Sequence, residues 1–360
     1  MEFFEERRRD FRQRLMRWYQ THRRKLPWRE THDPYKIWIS EIMLQQTTVS
    51  AVIPYYTKWI RIFPDLETLS KAPLQKVLKA WEGLGYYQRA KNLHKTAQII
   101  HQRFEGRFPQ DCESLGRLPG LGPYTAAALL SFAFNKPYPV VDANVRRVMM
   151  RVLRIQHKVD AKVDRNIKPV LKLSLPARNS AHFNQALMEL GALVCRPKNP
   201  LCLLCPITDF CGAFKAGEQE IIPLPKKRSY QRIETVIAII KKGNKFLIQK
   251  RPSEGLLADL WEFPGGKRKE DESLRDALHR EIREELDTDI KEEKLLTRVH
   301  HSYTQFQVTL YAYACRTKNP PCLKRRVHRW VSLRAMRHYP FPSGNAKIVR
   351  FLEASKGNLK

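Results

Sequence analysis

Residues 118–134 read LPGLGPYTAAALLSFAF, and this stretch decides the fold of the N-terminal half. Gly120 and Gly122 permit a tight turn and a backbone approach that a Cβ would obstruct. The apolar run that follows reads as a helix whose first N–H groups point outward, where a phosphate can dock. A Gly-x-Gly before a helix is weak evidence by itself. About 20 residues on comes PVVDANVRRV, in which Asp142 has two compatible readings. It caps the helix ANVRRVMMRVL, and a carboxylate at a helix start stays ionised, which also suits it to chemistry.

Upstream, residues 38–49 read WISEIMLQQTTV. Glu41 and Gln45 are four apart and share one helical face, while Trp38, Ile39, Ile42 and Met43 cover the buried side. A Glu within an apolar helical turn is unusual, because Glu is rarely buried without a partner. On this segment alone, a half-exposed surface Glu is an equal alternative. Further helical segments fall around 50–63, 73–82, 86–105, 141–153, 163–174 and 180–193, separated by Gly and Pro breaks such as FPD, WEGLG and RFPQD. Residues 1–214 therefore read as one all-α domain. The texture then changes: 215–230 is a polar, proline-containing linker, and 231–360 is α+β. In that half IETVIAII, KFLIQKR, RVHHSYTQFQVTLYAYAC and HRWVSL are strand-like, and ESLRDALHREIREEL is helical.

Charge and cysteine usage narrow the class. The 360 residues carry 66 Lys+Arg against 36 Asp+Glu, a formal net charge of +30, which points to a polyanionic partner. No apolar run is long enough to span a bilayer, and the N-terminus lacks the apolar core of a signal peptide, so a cytoplasmic protein is expected. Seven cysteines, an odd number, argue against a disulfide framework. Four of them, Cys195, Cys202, Cys205 and Cys211, follow the spacing C-x6-C-x2-C-x5-C. Four soft thiolates in so short a stretch can close around one metal centre. Zinc is one reading, although zinc ribbons usually show two CxxC pairs and only one occurs here.

The LPGxGxxTA stretch with Asp142 resembles the helix-hairpin-helix DNA glycosylases. The cysteine spacing matches the iron–sulfur loop of the endonuclease III and MutY families at every interval. WISEIMLQQTTV and GLGYYQRAKNLH are similar to the MutY family of adenine DNA glycosylases in particular. That resemblance implies one 4Fe–4S cluster on the four cysteines, with Lys198 in the loop offering a cation to phosphate. It implies Glu41 as general acid, Gln45 and Gln46 as probes of DNA at the lesion, and Tyr86 as an aromatic wedge in the base stack. Asn144 is expected to bond near Asp142, and Glu189 is expected near the site. Glycosylases that also cut the strand place a lysine just before the Thr-Ala. Here Tyr124 stands there and cannot form a Schiff base, so a single-function glycosylase is implied. The partner would be duplex DNA carrying adenine opposite 8-oxoguanine or guanine, bound by a monomer, with the adenine flipped out of the helix.

WEFPGGKRKEDESLRDALHREIREELDTDI resembles a Nudix box. Gly266, Glu272, Arg280, Glu281, Ile282, Glu284 and Glu285 fall on its pattern, Asp287 stands in the glycine place and Thr288 in an apolar one. In the MutY family such a domain reads 8-oxoguanine, usually with a degraded box and a Phe-Ser-His segment. Tyr303-Thr304-Gln305 occupies the aligned place here, so the histidine is lost. The fullness of the box leaves an alternative open, a nucleotide pyrophosphohydrolase with Mg2+ on Glu281, Glu284 and Glu285. The whole chain is thus expected to be multi-domain, an all-α helix-hairpin-helix glycosylase followed by an α+β Nudix-like domain.

Overall fold

A computed structural model describes residues 7–225, 230–303, 305–323 and 326–358. The chain forms two compact units, Met1–Lys71 with Lys95–Lys227, and Ala72–His94 with Arg228–Lys360. Residues 72–94, read above as part of the helical half, pack with the C-terminal sheet. No helix among the described residues is long and apolar enough to cross a membrane.

The first unit is helical. Its elements are α1 (Arg8–His22), α2 (Pro34–Leu44), α3 (Val49–Ile62) and α4 (Leu66–Lys71), then α7 (Cys112–Gly116), α8 (Pro123–Phe132), α9 (Ala143–Val152), α10 (Ala161–Ser174), α11 (Ser180–Leu193) and α12 (Gly212–Lys215). The amphipathic helices α1, α9, α10 and α11 close one core around Phe11, Leu15, Met149, Ile167, Phe183 and Leu190. By contrast α2 and α8 are buried almost all round, as expected of helices at a domain centre. Local signals fix their starts. Asp33 accepts from the Tyr35 N–H, Pro34 and Pro123 occupy first turns, and Asp160 caps α10.

The second unit contains α5 (Leu74–Trp81) and is built on a mixed sheet. Its strands are β1 (Gln231–Lys242), β2 (Lys245–Lys250), β3 (Trp261–Glu262), β4 (Gly265–Lys267), β5 (Ile290–Tyr303), β6 (Phe306–Thr317) and β7 (His328–Ser332). The order is β3-β2-β1-β6-β5, with β4 on β1 and β7 on β2, and β1 runs parallel to β6. Strand alternation sorts the side chains. Val236, Ala238 and Ile240 face α13 (Leu274–Leu286). Ile237 and Ile239 face α15 (Ser343–Ala354), while α14 (Leu333–Met336) follows β7. Asp287 ends α13 with φ 51°, a left-handed pose that Asp tolerates better than most residues. The helix α6 (Gln88–Arg103) starts in this unit and ends in the first.

Candidate active site

The site grows from three helix ends of the first unit. Glu41 lies in the last turn of α2 and is only 5% exposed, which removes the surface-Glu alternative. Its Oε2 accepts from the Tyr124 hydroxyl at 2.9 Å, and Tyr124 sits in the first turn of α8. Burial pushes the Glu41 carboxyl up to about 7. The Tyr124 hydrogen bond and the Arg29 charge oppose this, and the Asp142 charge adds to it. Burial likewise raises the Tyr124 phenol well above its ordinary value, so it stays a donor.

Asp142 caps α9. Its Oδ1 accepts from the Val145 N–H at 2.7 Å and its Oδ2 from the Asn144 amide at 3.0 Å. Burial raises the Asp142 carboxyl, while these donors pull it back toward the anion. Asn144 in turn accepts from Arg147 at 2.9 Å, and Arg147 also donates to the carbonyls of Gly191 and Cys195. A Cβ on Gly191 would lie 2.6 Å from the Asn144 Cβ, so α11 approaches α9 as closely as a glycine permits.

Glu189, expected near the site, is fully buried on α11. It accepts from the Arg24 backbone N–H at 3.0 Å, from Arg24 Nε at 2.6 Å, and from Arg29 at 2.7 Å. Burial works against its charge, but these arginines hold its carboxyl below the ordinary value. Arg24 and Arg29 were not singled out in the sequence. The available signal was Glu189 itself, since a buried acid requires a basic partner.

The helix α2 stops at Leu44, so Gln45 is its C-cap and not a member of its face. The Gln45 amide reaches the Thr125 hydroxyl at 3.3 Å. Gln46 adopts φ 58°, a pose uncommon for a side-chain-bearing residue. Gly120 adopts φ 80° at the turn before α8. A Cβ on Gly122 would meet open space, so that glycine leaves room toward the outside and relieves no crowding within the chain. Tyr86 belongs to the second unit, at φ 48° and 37% exposed. Thr304 and the Tyr303 side chain lie outside the described residues.

All seven cysteines are free. Cys195, Cys205 and Cys211 pack at the edge of the first unit's core. The Arg151 guanidinium donates to Cys195 Sγ at 3.2 Å and to the Arg196 carbonyl. Burial first, and neighbouring cysteines after it, raise the Cys202, Cys205 and Cys211 thiols, Cys205 to about 12. Four soft donors close together beside a fixed guanidinium fit an iron–sulfur centre, whose binding removes the thiol protons and leaves thiolates whose negative charge Arg151 answers. Among the described residues, no three His, Cys, Asp or Glu converge tightly enough for a single metal ion.

In the second unit, α13 carries the Nudix-box acids, and arginines answer them. Arg280 bonds Glu272 at 2.6 Å, Glu281 at 2.8 Å and Glu284 at 3.3 Å. Arg326 bonds Glu285 at 2.8 Å and Glu262 at 3.4 Å. Glu285 also accepts from Gly265 N and the Gln249 amide. A Cβ on Gly266 would lie 2.3 Å from the Glu281 carboxylate, so a side chain there would displace Glu281 from its present pose.

Two family models match the chain. The HhH-GPD superfamily base excision DNA repair protein covers residues 39–172, and a NUDIX domain covers 235–351. An adenine DNA glycosylase of Buchnera aphidicola subsp. Schizaphis graminum is 39% identical over 257 residues, 71% of this chain and 74% of that protein. The human adenine DNA glycosylase is 34% identical over 329 residues, 76% of this chain and 60% of that one. Among solved structures, a thermostable thymine-DNA glycosylase is 30% identical with a TM-score of 0.53, covering 59% of this chain and 98% of its own. An endonuclease III–DNA complex shares the fold at 21% identity, with a TM-score of 0.52 and coverage of 59% and 97%. With both family models matched and adenine DNA glycosylases of a bacterium and of human aligned over most of its length, this chain belongs to the adenine DNA glycosylase family.

Proposed function

We propose that this chain flips adenine out of duplex DNA, where it faces 8-oxoguanine or guanine, and hydrolyses its N-glycosidic bond. One observation carries this reading. Glu41 is buried, bonded to Tyr124 and held near neutrality at pH 7, while Asp142 is braced by two donors that favour its anion. Burial raises both carboxyls, but Asp142 has backbone and amide donors drawing it back toward the anion, which suits the two to opposite parts in acid–base chemistry.

Neutral adenine is a poor leaving group. Protonated Glu41 gives its proton to N7, the C1′–N9 bond breaks, and its electron pair goes to the base. The sugar is left as an oxocarbenium ion, which the Asp142 carboxylate stabilises electrostatically. Water adds to C1′, and the proton it sheds restores Glu41. The products are free adenine and an abasic site. Gln45 and Gln46 probe the lesion, Tyr86 wedges into the stack, and Gly120 and Gly122 admit a phosphate at the start of α8. The Arg24–Glu189–Arg29 network supplies a fixed polar wall beside Glu41. Cys195, Cys202, Cys205 and Cys211 would hold a 4Fe–4S cluster, which would anchor their loop, and Lys198 in that loop offers positive charge toward DNA.

The Nudix-like unit reads the base opposite adenine. Its acids Glu281, Glu284 and Glu285 are met by Arg280 and Arg326, and these guanidiniums take the place of Mg2+. The test is adenine release from duplexes that differ only in the opposing base. Faster release opposite 8-oxoguanine than opposite thymine supports the reading, and equal rates on all duplexes contradict it.

A further inference from the structure

The turn that carries Tyr86 is strained and pinned within the second unit. Gly83, Gly85 and Tyr86 adopt φ 103°, 71° and 48°, three left-handed residues among four. Inside the turn, Trp81 Nε1 donates to the Gly85 carbonyl at 2.9 Å, and Arg89 donates to the carbonyls of Leu84 and Gly85. The Arg89 guanidinium also lies 5.1 Å from the Trp81 ring and 5.5 Å from the Tyr86 ring. Such a turn persists only where its surroundings over-determine it.

Two segments of the Nudix-like fold provide those surroundings. The first is Tyr339–Phe341. Phe341 N donates to Glu82 Oε1 at 2.8 Å, Lys79 donates to the Tyr339 carbonyl at 3.0 Å, and the Tyr87 hydroxyl donates to the Phe341 carbonyl at 2.8 Å. The second is the loop 253–261. Asp259 pairs with Lys91 at 2.6 Å and Lys250 at 3.2 Å, and its own carbonyl accepts from Gln75 at 3.0 Å. Gln75 then accepts from Trp261 Nε1 at 3.0 Å, and Lys91 donates to the Ser253 carbonyl. That loop is itself strained, with Leu257 at φ 58° and Asp259 at φ 66°. The residues flanking Tyr86 are therefore held on both sides by loops of the sheet.

We propose that Glu82 and Asp259 are positioning residues for base eversion, fixing the Tyr86 turn to the Nudix-like fold so that the lesion-reading unit sets the wedge. The proposal rests on the wedge reading of Tyr86 given above. It makes the C-terminal fold part of the flipping apparatus and not only a reader of the opposite base. Tyr86 keeps its pose because α5, the turn and the start of α6 cannot shift against Phe341 and Asp259.

The test uses full-length protein in a Glu41→Gln background, so that no base is cut. The duplex carries 2-aminopurine opposite 8-oxoguanine, and fluorescence at saturating protein reads eversion directly. Glu82→Ala with Asp259→Ala removes both side-chain anchors and is expected to cut the fluorescence rise on the order of five-fold, with the duplex still bound. Lys91→Met, which breaks the same ion pair from the other side, is expected to act in the same direction. A full rise in folded, duplex-bound variants overturns the proposal. Tyr86→Ala is the control for the wedge reading. A full rise in Tyr86→Ala sinks that reading alone, because loss in the Glu82, Asp259 or Lys91 variants still shows that the turn is anchored for eversion. If Tyr86→Ala removes the rise and the anchor variants keep it, the wedge stands and the anchor fails.

Discussion

At the residue scale one buried acid dominates the candidate site. Glu41, held at about 7, is protonated on the acidic side of neutrality, and a general acid works only in that form. Excision should therefore fall as pH rises through about 7 and lose its acid limb where Asp142 takes up a proton. The fold favours neutral Glu41, so its stability contribution is complete below its ordinary value of 4.5 and is lost as pH rises through about 7. The Tyr124 hydrogen bond lowers the Glu41 value. Tyr124→Phe removes that donor, so the alkaline limb of a single-turnover pH profile should move to higher pH. A limb that stays in place or moves down disconnects Tyr124 from Glu41. Asp142→Asn should slow excision by at least ~10²-fold, measured at saturating protein, because it removes the charge facing the sugar cation.

The sequence made these residues legible to different degrees. Glu41 stood out as an acid in an apolar turn, and Asp142 as a capping carboxylate after a glycine hairpin. Arg24, Arg29 and Arg147 did not, because one arginine among 66 Lys+Arg carries no mark of the buried acid or carbonyl that it will meet. Only the fold brings Glu189, about 165 residues away, onto Arg24. The box acids were legible as a pattern. Their pairing with Arg326 was not, since that residue lies beyond two further strands.

At the scale of elements, helix ends do most of the positioning. The cap at Asp142 was readable, as was the strand-like texture of IETVIAII and RVHHSYTQFQVTLYAYAC; the turn that divides the latter into β5 and β6 was not. The stop of α2 at Leu44 was not, because Gln45 and Gln46 are good helix formers and their turn is imposed by packing. The contact between α11 and α9 is the element-level feature that most constrains the site. Gly191→Ala places a methyl against Asn144, so it should cost about 1–3 kcal/mol in denaturant unfolding and slow excision by displacing Asp142. Wild-type stability and rate together would remove this contact from the site's support. Tyr124 at the head of α8 cannot form a Schiff base. Product should be an abasic site that nicks only after alkali or heat, and high-yield borohydride trapping of a protein–DNA adduct would contradict that.

At the scale of the molecule, the division of labour follows from what each unit can hold. The first unit has the acid, the carboxylate and the four cysteines. As purified it should be brown, with about four irons per chain, and stoichiometric zinc without iron would contradict the cluster. The second unit has a Nudix box whose acids are already paired. Full-length protein given Mg2+ and 8-oxo-dGTP should release no pyrophosphate, and release that vanishes with Glu284→Gln would make this a two-activity enzyme. The two textures, helical then strand-rich, were plain in the sequence. The grouping of residues 72–94 with the C-terminal sheet was not, since their helical periodicity says nothing about which unit they pack against.

In the proposed reaction Glu41 delivers the proton that lets adenine leave. The most direct measurement is single-turnover adenine release from a duplex bearing adenine opposite 8-oxoguanine, with wild-type protein and Glu41→Gln both at saturation. The variant should keep intact duplex binding and lose at least ~10²-fold in rate, because the substitution keeps the shape and deletes the acid. Near-wild-type release by Glu41→Gln would contradict it.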